Sequence, residues 1–521
     1  MDLEPVILVA ALVLLAGVAA VRISARAGVP SLVLYLAIGL AIGEGGAGIR
    51  FDDADLTVLL GTVALAMILA EGGFGTRWSV IRPVVALAGL LATLGVLVSV
   101  AVTAGLAWLL LDVDLRTAIL LGAVVGSTDA AATFSVMRAL PVKARVRSTL
   151  EAESGFNDPP VIILVTVVAS DAWESATPWM VVLLIGYQLI GGVAAGLLIG
   201  RLGQWVLSRS ALPAAGLYPL ATVALLFVAF ATAGIAGASG LMAIYVAALW
   251  LGNARLPHRQ ATAAFTEGMG WLSQIGLFVL LGMLASPGRL VEALGAAAIV
   301  GISLTLVARP VSVLCCASWF RVPLREQAFL SWAGLRGAVP IVLATIPVSA
   351  GLPAAERIFD VVFLLVVVFT LIQAPALPRI ARRTGVAVPV GPRELQVESA
   401  PLEEMDASLL QFRVPEDSQL HGVYVSDLRL PPEATLALVH RAGTIIAPDR
   451  FTTLRVGDHL LLAVPDAVRA ATERRLRAIG REGRLALWHR TEGTSYRRGR
   501  SDPAADHDHR AVGVPDALFG D

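Results

Sequence analysis

The sequence predicts a polytopic α-helical membrane protein followed by a small soluble α+β domain. Three observations carry this. Apolar runs of about 20 residues, the length at which a helix crosses a bilayer core, fill the first three quarters of the chain. Only 15% of the residues are charged and the mean hydropathy is +0.76, whereas soluble domains are about a quarter charged. After Arg383 the long apolar runs give way to short alternating segments separated by turn residues.

The chain opens "MDLEPVILVAALVLLAGVAAVRISARAG", with acids before the apolar stretch and Arg22 and Arg26 after it. A cleaved signal peptide has the opposite order, so this reads as a retained first helix. Thirteen spans are expected, at 3–22, 30–43, 56–73, 82–110, 115–137, 146–169, 178–207, 214–233, 238–252, 263–285, 290–319, 325–349 and 357–378. Connections after the odd-numbered spans carry 17 Arg or Lys and those after the even-numbered spans carry four, which puts the N-terminus outside and the C-terminal domain in the cytoplasm of a plasma-membrane protein. The formal net charge is zero and selects no partner; a nucleic-acid partner is not expected. Cys315 and Cys316 are adjacent in an apolar run and read as packing residues, neither a disulfide framework nor a metal site.

Two spans are interrupted by polar and helix-breaking residues. Span 5 contains "GSTDAAAT" and span 12 contains "GLRGAVP", seven spans later. An odd offset gives the two opposite orientations, as two inverted repeats with broken crossing helices require. Span 6 carries "ESGFNDPP". Ser154 and Asp158 are four residues apart, as are Glu153 and Asn157, so a continuous helix would set all four on one face. Pro159 and Pro160 cannot donate to the carbonyls of Gly155 and Phe156, which frees those oxygens as ligands. Ser127, Thr128 and Asp129 in span 5, Arg336 in span 12 and Glu71 at the end of span 3 complete the polar set.

An acid at the bilayer centre costs roughly 2.5–3.5 kcal/mol even on insertion scales, so several acids at helix breaks call for a function. Carboxylate, hydroxyl and main-chain oxygens suit hard cations, and the spans hold no imidazole. A proton and a cation compete for the same carboxylate oxygens. A channel filter of the "TVGYG" kind is absent, which argues against a regulated cation channel. So is H-E-x-x-H or a histidine placed to activate a serine, and no enzyme is expected.

Residues 384–408 read as a linker and 409–480 as the soluble domain, with strands at "LLQFRV", "ATLALVHR", "TIIAP" and "DHLLLAV" and helices at "QLHGVYVSDL" and "DAVRAATERRLRAI". Residues 489–521 read as a disordered tail, in which "HDH" is a solvated segment and not a metal site.

The segments "GSTDAAATFS", "ESGFNDP" and "GLRGAVPIVLAT", with "ILAEGGFGT", "SGLMAIYVAAL", "IGLFVLLGML" and "VARPVSV", resemble the monovalent cation:proton antiporters of the NhaP type over about residues 5–380. The resemblance implies a thirteen-span inverted-repeat fold, a homodimer and alternating access without a cofactor. It implies that Asp158 binds cation and proton in turn, that Ser154 and Thr128 supply neutral oxygens, that Asp129 sits at the crossing, that Glu71 lies near the ion and that Glu153 pairs with Arg336. "AEGGF" departs from the commoner "FDGGL" and Pro160 from the usual non-proline residue. Asn157 before Asp158, in place of two carboxylates, is similar to electroneutral exchangers and implies one proton for one cation. The soluble segment resembles the TrkA-C subdomain of potassium-conductance regulators, without a Gly-rich dinucleotide loop before it. That likeness favours K⁺ over the alternatives Na⁺ and Li⁺. It also implies a nucleotide such as cyclic di-AMP, or an adenine nucleotide, at a dimer seam near His440 and Arg441.

Overall fold

The computed structural model of the chain describes residues 3–27, 30–49, 54–129, 132–133, 136–137, 140–175, 177–388, 397–402, 407–416 and 418–483. The chain divides into two compact units, one through Pro389 and one from Val390.

The first unit is helical. Its elements are α1 (Leu3–Ala27), α2 (Ser31–Ile42), α3 (Ala54–Gly75), α4 (Val85–Leu111), α5 (Leu115–Val124), α6 (Ala144–Phe156), α7 (Asp158–Ala169), α8 (Pro178–Arg209), α9 (Leu217–Ile235), α10 (Gly240–Asn253), α11 (Arg259–Met283), α12 (Pro287–Phe320), α13 (Leu324–Trp332), α14 (Ala338–Ser349) and α15 (Ala355–Thr384). Eight of the helices among the described residues are long and apolar enough to cross a membrane. Each expected span falls on one helix except spans 6 and 12, which fall on broken pairs, and span 5, whose helix α5 ends at Val124.

Helix starts follow local capping chemistry. Asp114 accepts from the Thr117 amide (3.0 Å) at α5, Thr177 from the Met180 amide (3.3 Å) at α8, and Ser239 from the Met242 amide (3.2 Å) at α10. α15 ends on Gly385 at φ +69°, with Arg382 and Arg383 in its last turn.

Both α4 and α12 contain a π-turn, at Leu91–Gly95 and Ser303–Ala308. These lie in spans 4 and 11, the same seven-span separation as the breaks in spans 5 and 12. The two helices meet there, with Ser312 Oγ donating to the Gly95 carbonyl at 2.7 Å. The core is built from small and aliphatic side chains of α3, α5, α7, α10, α14 and α15. The outer surface stays apolar: Trp179, Ile190 and Leu198 of α8 are 68%, 73% and 60% exposed, as lipid contact requires.

The second unit is a five-stranded antiparallel sheet in the order β1-β2-β5-β3-β4, with β1 Val397–Leu402, β2 Ala407–Arg413, β3 Thr435–Arg441, β4 Thr444–Ile446 and β5 His459–Pro465. Helix α16 (Asp466–Glu482) packs on one face, over Leu410, Phe412, Leu460, Leu462 and Val464.

Two sequence expectations are corrected here. The described residues of the expected linker are structured: Lys143 N–H donates to the Val386 carbonyl (3.1 Å), Val388 N–H to that of Pro141 (2.9 Å), and β1 pairs with the edge of β2. An otherwise open strand edge explains the added strand. The expected helix at "QLHGVYVSDL" is a turn region with only a short 3₁₀ stretch, Val425–Leu428. Its backbone pairs across the fold instead, Gly422 N–H to the Leu454 carbonyl and Val425 N–H to that of Thr452. The expected tail, 489–521, lies outside the described residues.

Candidate ion-binding site

Span 5 stops being helical after Val124, and span 12 is interrupted between Trp332 and Ala338. The two interruptions bond to each other. Asp129 N–H donates to the Leu335 carbonyl at 3.0 Å, and Asp129 Oδ2 accepts from the Ala338 amide at 2.9 Å. Asp129 therefore caps the N-terminus of α14, where unsatisfied amides and the helix dipole favour an anion. Only glycine fits at 337, because a Cβ there would overlap the Asp129 carboxylate.

The "ESGFNDPP" segment is not one continuous helix. α6 ends at Phe156, Asn157 is the junction, and α7 begins at Asp158. Pro159 and Pro160 fall in the first turn of α7, where a missing N–H removes no helical bond. Asp158 thus also sits at a helix N-terminus, and it is 1% exposed.

Thr128 joins the two elements. Its Oγ1 lies 2.9 Å from Ser154 Oγ and accepts from Asn157 Nδ2 at 2.6 Å. Ser154 Oγ also donates to Thr133 Oγ1 at 3.1 Å. Around this network, Ser127 Oγ, Asn157 Oδ1 and both carboxylate oxygens of Asp158 are buried without a hydrogen-bond partner. Buried polar atoms are almost always satisfied, so these orphaned oxygens have the chemistry to take up a cation or a proton.

Glu153 is fully buried and takes a bidentate bond from Arg309 of α12, Nη1 to Oε1 at 2.5 Å and Nη2 to Oε2 at 2.8 Å. The expected partner was Arg336, and the structure corrects that. Arg336 is 3% exposed, its Nε and Nη1 have no partner, and no ion pair joins it to Glu153 among the described residues. Arg309 lies across the span-12 break: a Cβ on Gly334 would come within 2.8 Å of its Nε. Sequence reading also missed Thr133. The signals were present: Arg309 is a charge inside an apolar run, and Thr133 follows Asp129 by one helical turn.

Glu71 lines a polar cavity of about 580 Å³ with Thr76, Arg77, Ser148, Glu151 and Glu267. In the soluble unit, Arg441 is committed internally. Its Nε and Nη2 donate to the two carboxylate oxygens of Asp458 (2.8 and 2.7 Å) and Nη2 to the Thr453 carbonyl (2.7 Å). His440 stands beside His459 on the next strand, ring centroids 5.8 Å apart.

The sodium/hydrogen exchanger transmembrane family matches residues 9–383, and the TrkA-C domain family matches residues 409–477. The chain is 36% identical over 450 residues to the K(+)/H(+) antiporter NhaP2 of Shewanella baltica (strain OS223), covering 84% of this chain and 77% of that protein. It is 36% identical over 463 residues to the K(+)/H(+) antiporter NhaP of Alkalimonas amylolytica, covering 88% and 80%. Among solved structures, the sodium proton antiporter MjNhaP1 from Methanocaldococcus jannaschii at pH 8 matches with a TM-score of 0.63 at 22% identity. That match covers 74% of this chain and 99% of that one, and it speaks to fold.

Proposed function

The chain belongs to the sodium/hydrogen exchanger family, and from that premise we propose that it exchanges K⁺ for H⁺ across the cell membrane, one for one, by alternating access. The observation that carries the reading is the buried Asp158, whose carboxylate oxygens have no partner at the junction of two helix breaks. Cation and proton bind the same carboxylate in turn, with Asn157, Ser154, Thr128 and Ser127 offering neutral oxygens. Asp129 holds the crossing of the breaks. Glu71, which lines the polar cavity, is a further acid for the ion and the proton.

The buried charges argue for the stoichiometry. At the breaks, Arg309 and Arg336 balance Glu153 and Asp129, all four at most 4% exposed. Asp158 is the carboxylate left over. One proton or one monovalent cation neutralises it equally, and uncompensated charge in a low-dielectric interior is costly. Exchange on this account moves no net charge.

K⁺ is favoured over Na⁺ by the names of the 36%-identical relatives and by the TrkA-C domain. The Arg-rich connections put the N-terminus outside and the TrkA-C domain in the cytoplasm, where it binds a nucleotide such as cyclic di-AMP, near His440, across the seam of a homodimer. Proton flux in everted vesicles, compared for K⁺, Na⁺, Rb⁺ and Li⁺, tests the reading. Flux with K⁺ and Rb⁺ supports it, flux restricted to Na⁺ and Li⁺ reassigns the substrate, and flux with none of them refutes it.

A further inference from the structure

A second cavity of about 580 Å³ lies in the helical unit, with Phe156 at the end of α6 in its lining, and its walls are almost wholly apolar. Gly89 and Val85 of α4 form one wall, Val193 and Leu197 of α8 another, and Val246 and Leu249 of α10 the third. The size lies within the roughly 300–1,000 Å³ of ligand pockets. It adjoins the lipid-facing surface of α8, whose Ile190, Leu198 and Leu202 are 73%, 60% and 49% exposed.

The cavity has direction. Along α10 its lining runs from Met242 to Asn253, about 16 Å at 1.5 Å per residue. That is close to one leaflet, half of a hydrocarbon core about 30 Å thick. The end at Asn253 is polar, but its polar groups are occupied with each other. Trp250 Nε1 donates to Gln204 Oε1 at 2.8 Å, Asn253 Oδ1 accepts from the Trp78 amide at 2.8 Å, and Asn253 Nδ2 donates to the Thr76 carbonyl at 2.8 Å. No hydrogen-bonding ligand is called for inside. Two exposed arginines stand near this end, Arg201 on α8 between the lining residues Leu197 and Gln204, and Arg255, next to the lining residue Ala254.

We propose that this cavity is a binding site for one anionic phospholipid, with an acyl chain lying along α10 between α4 and α8 and the headgroup phosphate against Arg201 and Arg255. Apolar walls, a length of one leaflet, an opening to the lipid-facing helix and positive charge at the headgroup level each select that occupant. The lipid bridges α4, which packs on α12 beside the ion site, and the α8–α10 pair. It is therefore placed to affect how these helices move past each other.

The test is native mass spectrometry of the full-length protein in mild detergent, titrated with phosphatidylglycerol or with phosphatidylcholine. One phosphatidylglycerol retained per protomer, in preference to phosphatidylcholine, is the expected result. Gly89→Phe should remove it, because Gly89 lines the cavity and a Cβ there meets no heavy atom within 4 Å, so the added side chain starts into the lipid's space. Arg201→Gln and Arg255→Gln should each weaken retention about fivefold while leaving the cavity intact. Equal retention by wild type and Gly89→Phe overturns the site. Loss of lipid in Gly89→Phe with no preference for the anionic headgroup in the wild type overturns the assignment to an anionic lipid.

Discussion

Glu153 and Arg309 form a bidentate pair in which both side chains are at most 5% exposed, tying α6 to α12 across the broken span 12. Arg309 follows directly on the π-turn Ser303–Ala308, and Gly334 leaves the space through which its guanidinium reaches Glu153. Planar, two-point contact of this kind belongs to arginine and carboxylate specifically.

Breaking that pair should be costly. Arg309→Ala and Glu153→Ala each strand a buried charge, a loss of about 3–5 kcal/mol. Both should lower the detergent melting temperature more than Asp158→Asn does. Arg309→Lys should recover little, lacking the fork. A double replacement of the pair by Met should be more stable than either single variant. Unchanged melting in both alanine variants would mean that the pair does not hold the helices.

Asp158→Asn should reduce cation-driven proton flux to background in everted vesicles, with the protein still folded and in the membrane. The substitution keeps the shape of a side chain that makes no hydrogen bond through either carboxylate oxygen. Flux near the wild-type level would remove Asp158 from the transport cycle.

The spans were legible because hydrophobicity and length settle them, and the breaks because Gly, Pro and acidic residues are rare in apolar runs. Thr128, Ser154 and Asn157, which the structure joins in one hydrogen-bonded network, were legible for the same reason. The partner of Glu153 was not. Arg336 lies in the conspicuous "GLRG" break and attracted Glu153 on paper, whereas Arg309 lies in an apolar run and reaches its partner only through three-dimensional packing past Gly334. Strand β1 was hidden likewise: nothing local in "VESAPL" marks a strand, and its register exists only against β2.

Charge balance at the breaks leads to an electrical prediction. A membrane potential imposed on proteoliposomes without a pH or cation gradient should drive no net flux. Arg336→Gln removes one of the two balancing positive charges, and it should weaken proton release and cation turnover together while leaving the Glu153–Arg309 pair intact. Potential-driven flux in the wild type would refute one-for-one exchange.

Asp458 gives the soluble unit an acid-sensitive anchor. Burial pushes its carboxyl up, but the Arg441 side chain and the Arg455 amide outweigh this and hold it below the usual aspartate range. A depressed folded-state pKa contributes stability that is present above the unfolded value of about 3.9 and is lost as pH falls through the folded value. Melting of residues 395–490 should therefore be steady near neutral pH and fall below about pH 4. Asp458→Asn should cost about 1.5–3 kcal/mol and flatten that acid limb. An unchanged limb in Asp458→Asn would place the acid sensitivity elsewhere.

The TrkA-C unit should tune exchange without being required for it. Every residue of the ion site precedes residue 340, and the helical unit has its own core. The cut matters: residues 386–388 bond back to Pro141 and Lys143, beside the start of α6, so truncation belongs after Val388 and not after Thr384. The truncated protein should keep measurable K⁺/H⁺ exchange but lose a response to pH or to added nucleotide that the full chain shows. Calorimetric titration of residues 395–490 with cyclic di-AMP, ATP and AMP identifies the ligand, and His440→Ala should weaken its binding while Arg441→Ala lowers domain stability instead. If no nucleotide binds and the truncated protein keeps the full pH profile, the domain is an assembly element and the regulatory role is lost.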